Sequence, residues 1–370
     1  MQAREIATFL DDNYNTFKNN QLFGRYITLQ HIQPLIDNLP SEFQIAKAGE
    51  SFQHRKINSI TIGAGSKKIL LWSQMHGNES TGTKAIFDLF NFLLNDTSGL
   101  ATTILKNCTI TVIPMLNPDG SEVYTRVDSQ GIDLNRDAVD QKAPESKLLN
   151  KTLREINPHF CFNLHDQRTI FSVGNENLPT TLSFLAPSED EDRTLTEGRK
   201  ITMSVIVKMN EVLQHLIPNQ IGRYTDEFYP TATGDNFQKA GYNTILVEAG
   251  HFPNDYDREI TRKYNFIALV SGIYGIATSE KLTNYKPYFQ IPNNEKNYLD
   301  IIYKNVFIES EKITIEVGIL FKEELINGNI TFTPFIEKTG DLSGYNANTI
   351  IKHNNRFVPT RKHLDVFIEK

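Results

Sequence analysis

Ile69-Leu70-Leu71-Trp72-Ser73-Gln74-Met75-His76-Gly77-Asn78-Glu79 is the stretch whose reading decides the fold. Its apolar opening is a buried strand, and an imidazole and a carboxylate three positions apart follow directly. Delivered by a strand end, that pair can approach one metal ion from neighbouring directions and leave room for a third protein ligand and a water. Three nitrogen or oxygen ligands with an open position characterise a catalytic zinc site, whereas structural sites are closed and rich in cysteine. Alone, an H-x-x-E is weak and also describes a surface turn.

Working outward, strands and helices alternate. Residues 57–62 alternate apolar and polar side chains, 68–74 form the quoted strand, and 80–94 suit a packed helix. A strand at 109–115 runs into the turn Asn117-Pro118-Asp119-Gly120, a helix at 144–156 leads to a strand at 160–164, and a long helix covers 191–216. The strand 244–247 and a final helix at 257–277 complete the pattern. This order predicts a three-layer α/β/α domain with a mixed, largely parallel sheet. In such sheets functional groups gather beyond the carboxyl ends of strands. His76, Asn117, His165 and Glu248 all fall at or just after such ends.

The first forty residues read as helices, with Thr28 as the N-cap of one that Pro40 closes. After a linker at 285–292, short β-branched runs at 301–307, 312–320, 329–335 and 363–368 predict a small all-β appendage. The expected division is therefore a catalytic domain at 1–283, with a helical leader at 1–42, and a β-rich unit at 284–370.

The 370 residues are 39% hydrophobic and 22% charged, with a net charge of −6, as for an ordinary globular protein. No basic tract interleaved with aromatics points to nucleic acid. The most apolar segment, 266–277, is too short to span a bilayer, and the N-terminus lacks the layout of a secretory signal, so a cytoplasmic address is expected. The two cysteines, Cys108 and Cys161, sit in apolar runs and read as buried thiols. A zinc site here must use His, Glu or Asp.

Six ordered blocks resemble the zinc metallocarboxypeptidases of the carboxypeptidase A type, particularly the short bacterial members without a pro-segment. They are Gly49 to Ile57, His76 to Glu79, Asn117 to Gly120, Arg126 to Arg136, His165, and Glu248-Ala249-Gly250, within about residues 45–280. The resemblance implies one Zn²⁺ per chain on His76, Glu79 and His165, with Asp133 hydrogen-bonded to a ligand histidine. It implies Glu248 as general base, Arg126 as oxyanion stabiliser, and Asn135 with Arg136 as the clamp on a substrate's terminal carboxylate. Tyr229 resembles a mobile tyrosine that closes over substrate. The stretch containing Asp235 and Asn236 corresponds to the pocket for the terminal side chain, although Asp235 reads better as a helix N-cap. Asp166 should face away from the metal, and His251 reads as a rim residue.

The implied reaction is hydrolysis of a peptide's C-terminal amide bond. An address without an inhibitory pro-segment favours a narrow substrate, such as a cell-wall or γ-glutamyl peptide. N-acyl amino acid deacylases of the aspartoacylase or succinylglutamate desuccinylase kind share the fold and several motifs, and form the nearest alternative. An inactive module that holds carboxylates is a further one. The Asn117–Gly120 turn and the seven-residue step from Arg126 to Asp133 favour the peptidase.

Overall fold

Ile69, Leu70, Leu71 and Trp72 are all fully buried, yet they serve two different cores. Ile69 and Leu71 face one, and Leu70 and Trp72 the other, because successive strand side chains point to opposite faces. The computed structural model describes residues 1–174 and 178–368, so the last two positions of the expected C-terminal unit lie outside the described residues. The strands are β1 (Gln44–Glu50), β2 (Lys56–Ile62), β3 (Lys67–Trp72), β4 (Cys108–Ile113), β5 (Phe160–Asp166), the short β6 (Phe171–Val173), β7 (Leu182–Leu185), β8 (Ile221–Arg223) and β9 (Asn243–Ala249). All but β6 form one eight-stranded sheet of order β1-β2-β4-β3-β5-β9-β7-β8. Its middle, β4-β3-β5-β9, is parallel, and its flanking pairs β1–β2, β2–β4 and β7–β9 are antiparallel.

The helices are α1 (Ala3–Asp12), α2 (Tyr14–Phe17), α3 (Leu29–Asp37), α4 (Thr81–Asn95), α5 (Leu100–Asn107), α6 (Pro118–Glu122), α7 (Pro144–Ile156), α8 (Glu197–Leu213), α9 (Thr233–Lys239) and α10 (Glu259–Thr278). The larger core lies on the face covered by α1, α2, α4, α5, α8 and α10, and the smaller on the face covered by α7 and α9. This is the mixed three-layer arrangement expected. No helix among the described residues is long and apolar enough to cross a membrane. The first residues are built into the larger core rather than trailing from it. Asp88 of α4 bridges Arg262 of α10 at 2.6 Å, both fully buried, and also accepts from Tyr14 Oη.

Beyond α10 the chain adds β10 (Asn294–Lys296), β11 (Tyr298–Ile308), β12 (Ile313–Ile326), β13 (Asn329–Gly340) and β14 (Asn346–Val358). The last four make a sheet of order β13-β12-β11-β14, and β10 pairs with β6 of the preceding α/β part. A short helix, Lys286–Gln290, occupies the linker and buries Tyr288.

Three readings need correction. The long helix starts at Glu197, not 191, because the Thr196 hydroxyl accepts from Arg199 N and caps it there, and it ends at Leu213. The run 363–368 is not a strand but part of a 3₁₀ helix, Arg361–Phe367, which buries Leu364 and Phe367 three positions apart on one side. The strand β14, which pairs in parallel with β11, went unread because its asparagine-rich sequence has little β propensity.

Candidate metal centre and active site

The ligand loop owes its shape to two glycines. After β3 the backbone takes a left-handed step at Gln74 (φ 49°), and Glu79 N then donates to His76 O at 3.1 Å, folding Glu79 back beside His76. A Cβ on Gly77 would stand 2.0 Å from the carbonyl carbon of Gly120. Thus His76-Gly77-Asn78-Glu79 packs backbone to backbone on Asn117-Pro118-Asp119-Gly120. Asn117 fastens the pair: its Nδ2 donates to Met75 O, and its Oδ1 accepts from Gly120 N.

His76, Glu79 and His165 are all buried and converge. His76 Nδ1 lies 2.8 Å from Glu79 Oε1, His165 Nδ1 lies 2.8 Å from Glu79 Oε2, and the two Nδ1 atoms are 3.2 Å apart. On its far side, His76 Nε2 stands 3.0 Å from Asp133 Oδ1. A carboxylate only accepts, so Nε2 carries the proton and the Nδ1 lone pair faces the cluster. Three acceptors this close require a cation or shared protons among them. Tetrahedral zinc with bonds of about 2.1 Å places its ligands about 3.4 Å apart, so this borderline-soft N₂O set fits zinc. Burial pushes the Asp133 carboxyl up, but the hydrogen bond from His76 and the Arg126 charge hold it well below the usual carboxylate range. Asp166 turns away as expected, to Thr81 Oγ1 at 2.7 Å and Arg258 at 3.3 Å.

Glu248 of β9 stands directly opposite His165 of β5 in the sheet register. Same-face partners in adjacent strands lie about 5 Å apart. The Glu248 carboxylate forms no hydrogen bond or ion pair among the described residues. Burial, then repulsion from Glu79 and Asp166, raises its proton affinity well above that of an ordinary glutamate.

His76, Glu79, His165 and Glu248 line one cavity of about 890 Å³. Arg126 reaches it while donating from Nε to Asp133 Oδ2 at 3.0 Å and from Nη1 to Glu79 Oε1 at 3.4 Å. Arg136 is exposed, donates to Asn135 O, and lies over the Tyr229 ring at 5.1 Å. Tyr229 is 42% exposed at the cavity edge. Asp235 lines the cavity too, but α9 starts two residues before it, so it is not the N-cap; it accepts from Tyr229 N at 3.1 Å, and burial lifts it to about 6. Asn236 stands apart from the cavity, its amide given to the carbonyls of Pro230 and Ala232. His251 is buried against Asn348.

Sequence reasoning missed the buried Arg25 and Arg258, which line the cavity, and every contribution from the C-terminal sheet. Leu320, Phe321, Lys322, Glu323 and Phe335 face the same cavity, and Glu323 pairs with Arg25 at 2.8 Å and accepts from Tyr124 Oη. The one signal was Lys322-Glu323-Glu324, charges that interrupt an apolar run.

Known proteins resemble this chain in part of its sequence and in its fold. The family model described as zinc carboxypeptidase matches residues 28–160. Carboxypeptidase SOL1 of Arabidopsis thaliana is 31% identical over 103 residues, which span 25% of this chain and only 21% of that protein. A metallo-carboxypeptidase from Burkholderia cenocepacia superposes with a TM-score of 0.54 at 17% identity, over 67% of this chain and 69% of that one. Carboxypeptidase A from Helicoverpa armigera gives 0.55 at 15% identity, over 75% and 82%. Residues 28–160 therefore carry the zinc carboxypeptidase family signature, set in the fold that the metallocarboxypeptidases share.

Proposed function

We propose that the protein is a zinc-dependent metallocarboxypeptidase, with one zinc per chain, that hydrolyses the C-terminal amide bond of a peptide. The observation that carries this reading is Glu248: a carboxylate with no hydrogen-bond or ion-pair partner among the described residues, opposite His165, on the wall of the cavity that contains the three candidate ligand side chains. His76, Glu79 and His165 would hold the zinc, which when bound polarises a carbonyl and acidifies a water. Asp133 and Arg126 brace that set from behind His76 and beside Glu79.

The remaining work falls to side chains. Arg136 gives one donor to Asn135 O and keeps the rest of its fork for a terminal carboxylate, which guanidinium meets bidentately. Arg126, which lines the cavity beside Glu79, would stabilise the negative charge that develops on the carbonyl oxygen. Glu248, with its raised proton affinity, takes a proton from water and passes it to the leaving amine. Tyr229, resting against Arg136 and exposed, would cover a bound terminal residue.

The test combines zinc analysis with a panel of C-terminally varied peptides, diaminopimelate-containing peptides and N-acyl amino acids, with and without chelator. Chelator-sensitive release of the terminal residue is expected. Glu248→Gln should keep its zinc and lose about 10²- to 10⁴-fold in kcat/KM. Turnover confined to N-acyl amino acids would sink the peptidase reading in favour of the deacylase.

A further inference from the structure

We propose that the wall contributed largely by the C-terminal strands makes this cleft selective for peptides bearing a carboxylate on the acyl side of the scissile bond, read by Arg168, Lys296 and Lys322. The inference rests on the carboxypeptidase reading, which fixes the end of the cleft that takes the leaving residue. The groups at that end are bonded to one another: Arg136 lies over Tyr229, Tyr229 N donates to Asp235, and Thr233 N donates to Asn135.

The other wall comes from the loop after β5, from β10 and from the β12–β13 pair. Its floor is apolar. Phe171 lies 5.6 Å from the Tyr224 ring, and Phe171, Leu320 and Phe335 belong to one cluster that joins the catalytic part to the C-terminal sheet. Three cations rim this floor. Lys296 Nζ lies 6.0 Å from the Phe171 ring centre and has no carboxylate partner, and Arg168 is exposed without a hydrogen bond or ion pair among the described residues. Lys322 is bonded at 2.9 Å to Glu324, which is not on the cavity, and the lysine side chain is 68% exposed, so that pair is weak. Among the described residues, the carboxylate that the C-terminal strands supply to this wall, Glu323, is already committed to Arg25 and Tyr124.

The opposite wall carries Glu227 and Asp235 beside Tyr229. Arg136 over the Tyr229 ring offsets part of that negative charge, and among the described residues the uncompensated positive charge of the cleft lies on the acyl side. Low-dielectric walls concentrate such a field and favour an anionic guest there. The guest's carboxylate can be the side chain of an acidic residue or the free α-carboxylate of a γ-linked glutamyl residue.

The experiment uses full-length, zinc-loaded protein and peptides that differ only in the residue supplying the scissile carbonyl: glutamate, glutamine, or γ-linked glutamate. The better of the two carboxylate peptides should exceed the glutamine peptide by about tenfold in kcat/KM, the sum of two or three partly exposed pairs, and the larger ratio names the source of the carboxylate. The ratio should shrink in about 1 M salt, where screening acts within a few ångströms. The Arg168→Glu/Lys296→Glu double variant should invert it, and Arg168→Gln/Lys296→Gln should erase it. A ratio near one, or one that survives charge reversal, overturns the proposal and leaves the carboxypeptidase reading intact. The same ratio in peptide Kd measured on Glu248→Gln, with no turnover by the parent protein, upholds the proposal and removes the hydrolase reading.

Discussion

His76 is gripped from both sides, and that grip is what the surrounding residue types achieve. Asp133 fixes the ring proton on Nε2 and spends its other oxygen on Arg126. Asp133→Asn removes the charge and frees the ring to turn, so zinc affinity should fall about 10- to 100-fold in competition with a chelator. Unaltered affinity would show that the ring is held by packing alone. At this scale the sequence was most legible: strand-end position and spacing picked out His76, Glu79, His165 and Glu248, the family resemblance added Asp133, and in the structure the first four line one cavity with Asp133 behind His76. Asp235 and Asn236 were harder, because their roles depend on where α9 begins. Starting at Thr233, the helix turns Asp235 toward Tyr229 N and Asn236 toward Pro230 O.

Elements depend on contacts that no local pattern encodes. The two motif loops meet so closely that Gly77→Ala must drive them apart. Overpacking of this kind costs about 1–3 kcal/mol, and a lowered melting temperature with weakened zinc retention would register it. On α7, Glu145 is wholly shielded; one oxygen accepts from Phe52 N, and the other has no hydrogen-bond partner among the described residues. Burial lifts its pKa to about 7, above the 4.5 of the open chain. The folded form therefore binds this proton more tightly than the unfolded form. The resulting stability is fully present below about pH 4.5 and is lost as pH rises toward 7. Urea midpoints of Glu145→Gln should accordingly gain on those of the parent between pH 5 and pH 8, and a constant gap across that range would contradict the assignment. Strand β14 escaped the sequence for a related reason: partnership with β11, not its own residues, makes Asn346–Val358 a strand.

Across the whole molecule, the predicted appendage is a wall of the cleft. Its attachment rests on β10 beside β6, on Asp300 accepting from Tyr256 at 2.7 Å, and on Glu323 beside the buried Arg25. Removing that carboxylate strands a guanidinium in the interior. Glu323→Ala should cost about 2–3 kcal/mol in denaturant unfolding, and an unchanged midpoint would mean that water already solvates Arg25. The sheet's β content could be read in advance, but its place could not, since the contacts joining it to Arg25, Tyr124 and Tyr256 span tens to hundreds of residues. That separation also sets an order of birth on the ribosome. The nascent chain contains all three candidate ligand side chains once His165 is made, acquires Glu248 later, and gains the wall around Leu320 to Phe335 last. At about 5–20 residues per second, roughly ten to thirty seconds separate the third ligand from the finished cleft. Throughout that interval, the growing polypeptide holds the three candidate metal ligands without the wall that Leu320 to Phe335 supply.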